Sequence, residues 1–269
     1  MRDITLGQYF PCDSVLHRLD PRLKIVSLIA FIVLTFCAFN FYSLALVGAT
    51  VIAVVLLSNV PVKMYLKSLK VIIIIVIITS LLNLFYGQGE PIFQWWIFKV
   101  TWAGIYNAIF VCFRIIFLIL FSSALTFTTS PNDLTDAMER LMKPLTVFHI
   151  KVHEIAMMMT IALRFVPTLL EETDKIMAAQ KARGADMESG SLVARSKALI
   201  PILVPLFVSS FRRAYELAVA MECRCYQGGD GRTRMKQLKL MKRDYICIAI
   251  CLLVIAGVVL CNIFLPQIR

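Results

Sequence analysis

The sequence predicts an all-α polytopic membrane protein, with about five transmembrane helices and long cytoplasmic helices. Three observations carry this. First, 59% of the 269 residues are hydrophobic and only 17% are charged, against about 25% charged in a soluble domain. Second, the mean hydropathy is +0.78. Third, several uncharged runs are long enough to cross a bilayer of roughly 20 helical residues. A soluble chain of this length has too little interior for so much apolar surface. This argues against an ordinary cytoplasmic enzyme, a disordered chain and a secreted disulfide scaffold. A formal charge of +11 remains to be placed.

The spans follow in order. Ile25 to Asn59 holds no charge in 35 residues, too long for one span. Asn40, with Phe41 and Tyr42, marks a tight turn, giving spans over Ile25–Phe39 and Tyr42–Leu57. Val71 to Tyr86 is the third. Its β-branched run Val71–Ile78 would suggest a strand in water, but an open strand in lipid leaves its backbone unpaired, so a helix is expected. Ala103 to Leu125 is the fourth and Tyr245 to Leu265 the fifth. No cleavable signal pattern precedes the first span, which is expected to stay as an anchor. The chain thus divides into an N-terminal membrane part with four spans (1–125), a cytoplasmic region (126–244) and a C-terminal span (245–269).

Basic residues orient the spans. Arg2, Arg18, Arg22 and Lys24 precede the first. Lys63, Lys67 and Lys70 lie between the second and third. Segment 126–244 carries eighteen Lys and Arg. The opposite side has only Lys99 and Arg269, and Arg114 lies within span four. The N-terminus is therefore expected in the cytoplasm of a bacterial cell membrane and the C-terminus outside. The loop with Gly87, Gly89 and Pro91 faces outward, with Trp95, Trp96 and Trp102 in its interfacial belt.

Segment 126–244 is too long for a plain loop and has helical grammar. Ser130 or Asn132 caps a short helix that starts at Pro131 and ends near Lys143-Pro144. A second helix runs from Val152 to Arg183, with an apolar stripe through Ile155, Met158, Met159, Ala162 and Val166. Pro167 should bend it, and Gly184 is a good stop. A third runs from Leu192 to Arg224, with Pro201 and Pro205 in its first half. Both long helices start apolar, turn charged and end in an Arg between small residues: Ala182-Arg183-Gly184 and Cys223-Arg224-Cys225. The planar guanidinium fork suits bidentate bonds to carboxylates or backbone carbonyls, and small neighbours let a partner approach closely. Solvated helix caps or contacts to lipid phosphate fit the same triplets.

Other chemistry is weakly supported. Five of the eight cysteines lie in spans, and Cys12, Cys223 and Cys225 lie on the reducing side. The Cys223-x-Cys225 pair lacks a second pair at metal-site spacing. His149 and His153 are four apart beside Glu154, but Met157 stands where an H-E-x-x-H motif needs histidine. No nucleophile with a paired base marks an enzyme. No P-loop is present, so ATP would have to be bound by partners. A secondary transporter, the other alternative to a polytopic membrane enzyme, would need polar groups at mid-membrane. The candidates are Arg114, Asn83 and Asn107, with no acid inside any span. Basic residues interleaved with acids argue against nucleic-acid binding.

The chain resembles the transmembrane T component of energy-coupling factor (ECF) transporters, importers of the ABC class. The resemblance runs from Asp13-Ser14-Val15-Leu16-His17-Arg18-Leu19-Asp20-Pro21-Arg22, through His153-Glu154-Ile155-Ala156 and Leu163-Arg164-Phe165-Val166-Pro167 to Glu171-Glu172-Thr173. It includes Ala182-Arg183-Gly184-Ala185 and ends with Ala220-Met221-Glu222-Cys223-Arg224-Cys225-Tyr226 and Gly228-Gly229. The wording is closer to the shared-module vitamin-importer branch than to the dedicated cobalt and nickel branch. The resemblance implies a non-catalytic scaffold without cofactors of its own. It also implies two ABC ATPase subunits and a small substrate-binding membrane subunit (S component), several of which could interchange. Arg183 and Arg224 then map to the X-Arg-X triplets that tip the family's coupling helices and dock the ATPases. Cys223 stands where alanine is common.

Overall fold

The computed structural model describes residues 9–85, 91–95, 98–185, 192–229, 238 and 240–264. Its helices are α1 (Pro21–Cys37), α2 (Phe41–Leu57), α3 (Val62–Phe85), α4 (Trp102–Thr128), α5 (Pro131–Met142), α6 (Val152–Ala182), α7 (Leu192–Cys223) and α8 (Lys242–Phe264). A short 3-10 helix, Lys143–Phe148, links α5 to α6. The fold is all-α apart from one antiparallel hairpin, β1 (Pro91–Trp95) with β2 (Phe98–Thr101), in the segment expected to be a loop. Trp96 lies outside the described residues.

The chain forms two compact units, residues 7–137 with 236–269, and residues 138–235. The first holds α1 to α4 and α8. Its core packs Phe31 and Leu34 of α1 against Val47 and Val51 of α2 and Val258 of α8, with the Phe31 and Phe121 rings stacked 4.0 Å apart. Gly48 is required there, because a Cβ would come within 2.6 Å of the Phe117 ring. A second cluster joins Val60, Tyr65, Ala124 and Phe127. Most of α3 is left bare: Val71, Ile74, Ile75 and Ile78 are exposed, as apolar side chains are where lipid is the solvent.

Sequence grammar explains the boundaries. Asp20 caps α1 by accepting from the Arg22 amide, with Pro21 in the first turn. Asn40 breaks the first apolar run as expected and caps α2, its amide donating to Ser43 Oγ at 3.1 Å. Ser130, not Asn132, caps α5 and receives the Asp133 amide at 3.2 Å. The third span begins earlier than expected, because the Lys63–Lys70 link forms the first turns of α3.

The set of long apolar helices differs from the expected one. α3, α4, α6, α7 and α8 are long and apolar enough to cross a membrane, whereas α1 and α2 have 17 residues each. Seventeen residues rise about 26 Å, slightly short of the roughly 30 Å hydrocarbon core, and in α1 the first turn, Pro21 to Lys24, precedes the uncharged run that begins at Ile25. α6 qualifies because most of its charges lie in its second half, and α7 because its charges, Arg195 and Lys197 near the start and Arg212, Arg213, Glu216 and Glu222 later, leave a long apolar stretch between them.

Candidate functional site

The two Arg triplets have one backbone geometry. α6 ends at Ala182, and Arg183 is its C-cap. Gly184 follows with φ +85°. Its amide donates to Lys181 O at 3.0 Å, and the Ala185 amide reaches back to Gln180 O at 3.0 Å. This pair of bonds is a Schellman cap, which satisfies the last carbonyls of a helix. α7 repeats it. Cys223 is the last helical residue and Arg224 takes the capping position. The Cys225 amide donates to Glu222 O at 2.8 Å, and the Tyr226 amide to Met221 O at 3.0 Å. Cys225 carries the left-handed conformation, φ 54°. A residue with a Cβ adopts that region at a cost of about 1–2 kcal/mol.

All six triplet residues, Ala182, Arg183, Gly184, Cys223, Arg224 and Cys225, are exposed. Neither Arg183 nor Arg224 makes a side-chain hydrogen bond or ion pair among the described residues. Both cysteines are free thiols.

The two helices pack antiparallel. Gln180 Nε2 donates to Pro201 O at 3.4 Å, while eight residues back along α6 Glu172 meets α7 further on. There Glu172 accepts from Ser209 Oγ and from Arg213 at 2.6 Å. The ring of His153, at the start of α6, lies against Gly229 beyond the end of α7 and leaves no room for a Cβ there. The two caps therefore sit at opposite ends of the pair, on the order of 35 Å apart at 1.5 Å per residue. One small groove on one partner could not hold both.

Residues 13–235 match the family model CbiQ, described as cobalt transport protein. The energy-coupling factor transporter transmembrane protein EcfT of Clostridium kluyveri is 52% identical over 95% of each chain. The EcfT proteins of Thermosediminibacter oceani and Bacillus subtilis are 51% and 48% identical, over 91% and 96% of this chain and 92% and 97% of theirs. The chain belongs to the EcfT family. It is a multi-pass membrane component of an energy-coupling factor transporter, a complex with other subunits, and not a known enzyme.

Within an EcfT frame the rival sites lose their geometry. His149 is not on a helix face with His153: it caps the 3-10 helix at φ 61°, before α6 begins. His153 Nδ1 lies 3.1 Å from Glu139 Oε1. No group of three or more metal-ligating side chains occurs among the described residues. Arg114, the polar group within span four, is taken up by the fold. It donates to Ala38 O at 2.8 Å, where α1 ends, and its guanidinium lies 4.7 Å from the Phe110 ring centre and 5.7 Å from that of Phe36.

An ionic node at one end of the membrane unit escaped the sequence reading. Asp244 Oδ1 accepts from the Asp20 amide at 3.0 Å, and its Oδ2 from the Met241 amide at 2.7 Å. One carboxylate thus ties together the first turns of α1 and α8. Arg22 donates to Asp20 at 2.8 Å and to Leu238 O at 2.8 Å. Lys24, one residue ahead of the first span, donates to Thr128 O at 2.9 Å and Thr129 Oγ1 at 3.2 Å. A cation at the C-terminal end of α4 also meets the negative end of its dipole. Burial lowers the Lys24 pKa to about 8, against the opposing pull of Asp133, Asp20 and Asp244. Asp20-Pro21 was a legible cap signal. Its pairing with Asp244, 224 residues away, carries no local signature.

Proposed function

We propose that this chain is the scaffold and energy-coupling subunit of an ABC-type importer for vitamins or similar micronutrients. The observation that supports this best is the twin cap. Two helix ends far apart present an uncommitted guanidinium in the same backbone frame, as two similar partner grooves would require. The partners in this reading are two ABC ATPase subunits, which bind and hydrolyse the ATP, and a small S component that recognises the substrate. The scaffold has no cofactor. In this reading, which the positive-inside distribution supports, the N-terminus and the charged ends of region 126–244 face the cytoplasm.

The mechanism has three steps. ATP binding closes the ATPase pair. Each groove carries its arginine, Arg183 or Arg224, so α6 and α7 shift against each other about the Glu172–Arg213 contact. The apolar flanks of both helices, including the exposed Ile200, Val204, Phe207 and Val208, then reorient the S component. The Glu172 contact is suited to a pivot, because its hydrogen-bonded geometry resists separation while the helix ends swing.

The test is co-expression with two P-loop ATPases and an S component, followed by detergent purification. The Arg183→Glu, Arg224→Glu double variant should lose most ATPase co-purification and uncouple hydrolysis from uptake. Normal assembly with normal uptake would sink the docking assignment.

A further inference from the structure

The membrane unit contains a groove of about 280 Å³ that the coupling mechanism does not use. It is lined by α1, α2, α4, α8 and the segment just before α1, through Leu23, Leu34, Phe121, Ile250 and Ile255 among others. Along α8 it runs from Arg243 to Ile255, about 18 Å at 1.5 Å per residue. Half of a roughly 30 Å hydrocarbon core is about 15 Å, so the groove is one leaflet long. Its walls are mostly apolar, with Ser27, Thr50 and Thr128 as the neutral hydroxyls, and its two charged residues, Lys24 and Arg243, both line one end. The two cations differ. Lys24 is committed to Thr128 O and Thr129 Oγ1. Arg243 is exposed and makes no hydrogen bond or ion pair among the described residues. The nearby carboxylates do not claim it: Asp20 is held by Arg22, and Asp244 by backbone amides.

An apolar slot one leaflet long, closed at its polar end by an unclaimed guanidinium, has the charge pattern of an anionic amphiphile. We propose that this groove binds one anionic phospholipid, with an acyl chain along α1 and α8 and the phosphate paired by Arg243. The guanidinium fork matches phosphate oxygens bidentately. Burying the chain removes the apolar walls of the groove from water and fills a gap that helix packing leaves open. The bound lipid would brace α8 against α1 beside the node formed by Asp20 and Asp244.

The test uses the full chain purified in mild detergent and mixed with equal amounts of phosphatidylglycerol and phosphatidylcholine of the same acyl composition. Retained lipid is counted by native mass spectrometry. The unaltered protein should keep one phosphatidylglycerol per chain, preferred at least fivefold over phosphatidylcholine. Arg243→Gln should abolish the preference while keeping the melting temperature in phosphatidylcholine. Ala30→Phe, which fills the groove wall, should lose both lipids. If that variant misfolds, the Arg243→Gln comparison still decides. Equal retention of the two lipids by the unaltered chain, a preference unchanged by Arg243→Gln, or several lipids bound without one-to-one stoichiometry would overturn the proposal. So would loss of the lipid on assembly with a partner membrane subunit, which would make a protein helix the groove's occupant.

Discussion

Three cations of the membrane unit and the two at the tips of α6 and α7 behave differently. In the membrane unit Arg22, Lys24 and Arg114 each donate to a backbone carbonyl near an otherwise open helix end or loop. They serve the fold. Arg183 and Arg224 also sit at helix ends, but the Schellman bonds already satisfy those carbonyls with backbone amides. Their guanidinium groups are left to solvent. The comparison separates charges that hold the structure from charges that are available to a partner. It also predicts that mutating the two classes has opposite signatures.

The sharpest separation comes from reversing charge at the tips. Arg183→Glu with Arg224→Glu should lower uptake by the assembled transporter tenfold or more, yet leave the melting temperature of the isolated chain unchanged within a degree or two. A surface substitution away from packed features costs within about 0.5 kcal/mol. A large drop in melting temperature would place these arginines with the structural class. Each single reversal should do less harm than both, since sites this far apart act nearly independently.

The structural class should show the reverse. Arg114→Leu removes the donor to Ala38 O and leaves that carbonyl without its guanidinium partner. An unsatisfied buried polar group costs about 1–3 kcal/mol, and Asp244→Ala, which strips two amides of their acceptor, should cost at least as much. Thermal scans in detergent should register both losses. If Arg114→Leu kept its stability but abolished uptake, the residue would belong to a transport pathway instead.

The two tips also differ from each other, and this difference is smaller. Gly184 adopts φ +85° with open space around it, whereas Cys225 holds φ 54° with a Cβ. Gly184→Ala should therefore destabilise the end of α6 by about 1 kcal/mol, and Cys225→Gly should stabilise the end of α7 by a similar amount. Amide exchange at Ala185 and Tyr226, the donors of the long Schellman bonds, would report each change locally. Similar exchange in the unaltered chain and both variants would mean that backbone strain is not what distinguishes the two ends.

How legible all this was in the sequence depends on the range of the interaction. The ends of α6 and α7 came within a residue of expectation, because helix stops are local and Arg183-Gly184 announces one. The left-handed Cys225 did not announce itself, since cysteine has no preference for that conformation. The β1–β2 hairpin was hidden inside a segment whose Gly and Pro content suggested only a loop. The candidate docking residues were visible as a repeated triplet, but their shared capping geometry needed coordinates. The bond from Arg114 to Ala38 and the bridge from Asp20 to Asp244 join residues far apart in the chain, and no periodicity encodes them. His149 shows the opposite error, where a spacing of four suggested a shared helix face that the 3-10 turn breaks.

Lys24 gives the smallest effect and the most specific one. Burial takes its pKa from 10.5 for a free lysine to about 8. Below pH 8 the ammonium is charged in both the folded and the unfolded chain, so the cost of burying it is fully present. Between about pH 8 and 10.5 the unfolded chain holds a proton that the folded chain has released. Stability rises with pH wherever the unfolded state binds more protons. Lys24 should therefore add an upward slope to the melting temperature between pH 8 and 10. Other groups titrate in that range, but they are common to the unaltered chain and Lys24→Met. Subtracting the two pH profiles isolates the lysine: the difference should move toward the unaltered chain as pH rises. Parallel profiles would show that Lys24 keeps an ordinary pKa, with its ammonium fully stabilised by Thr128 O and the surrounding carboxylates.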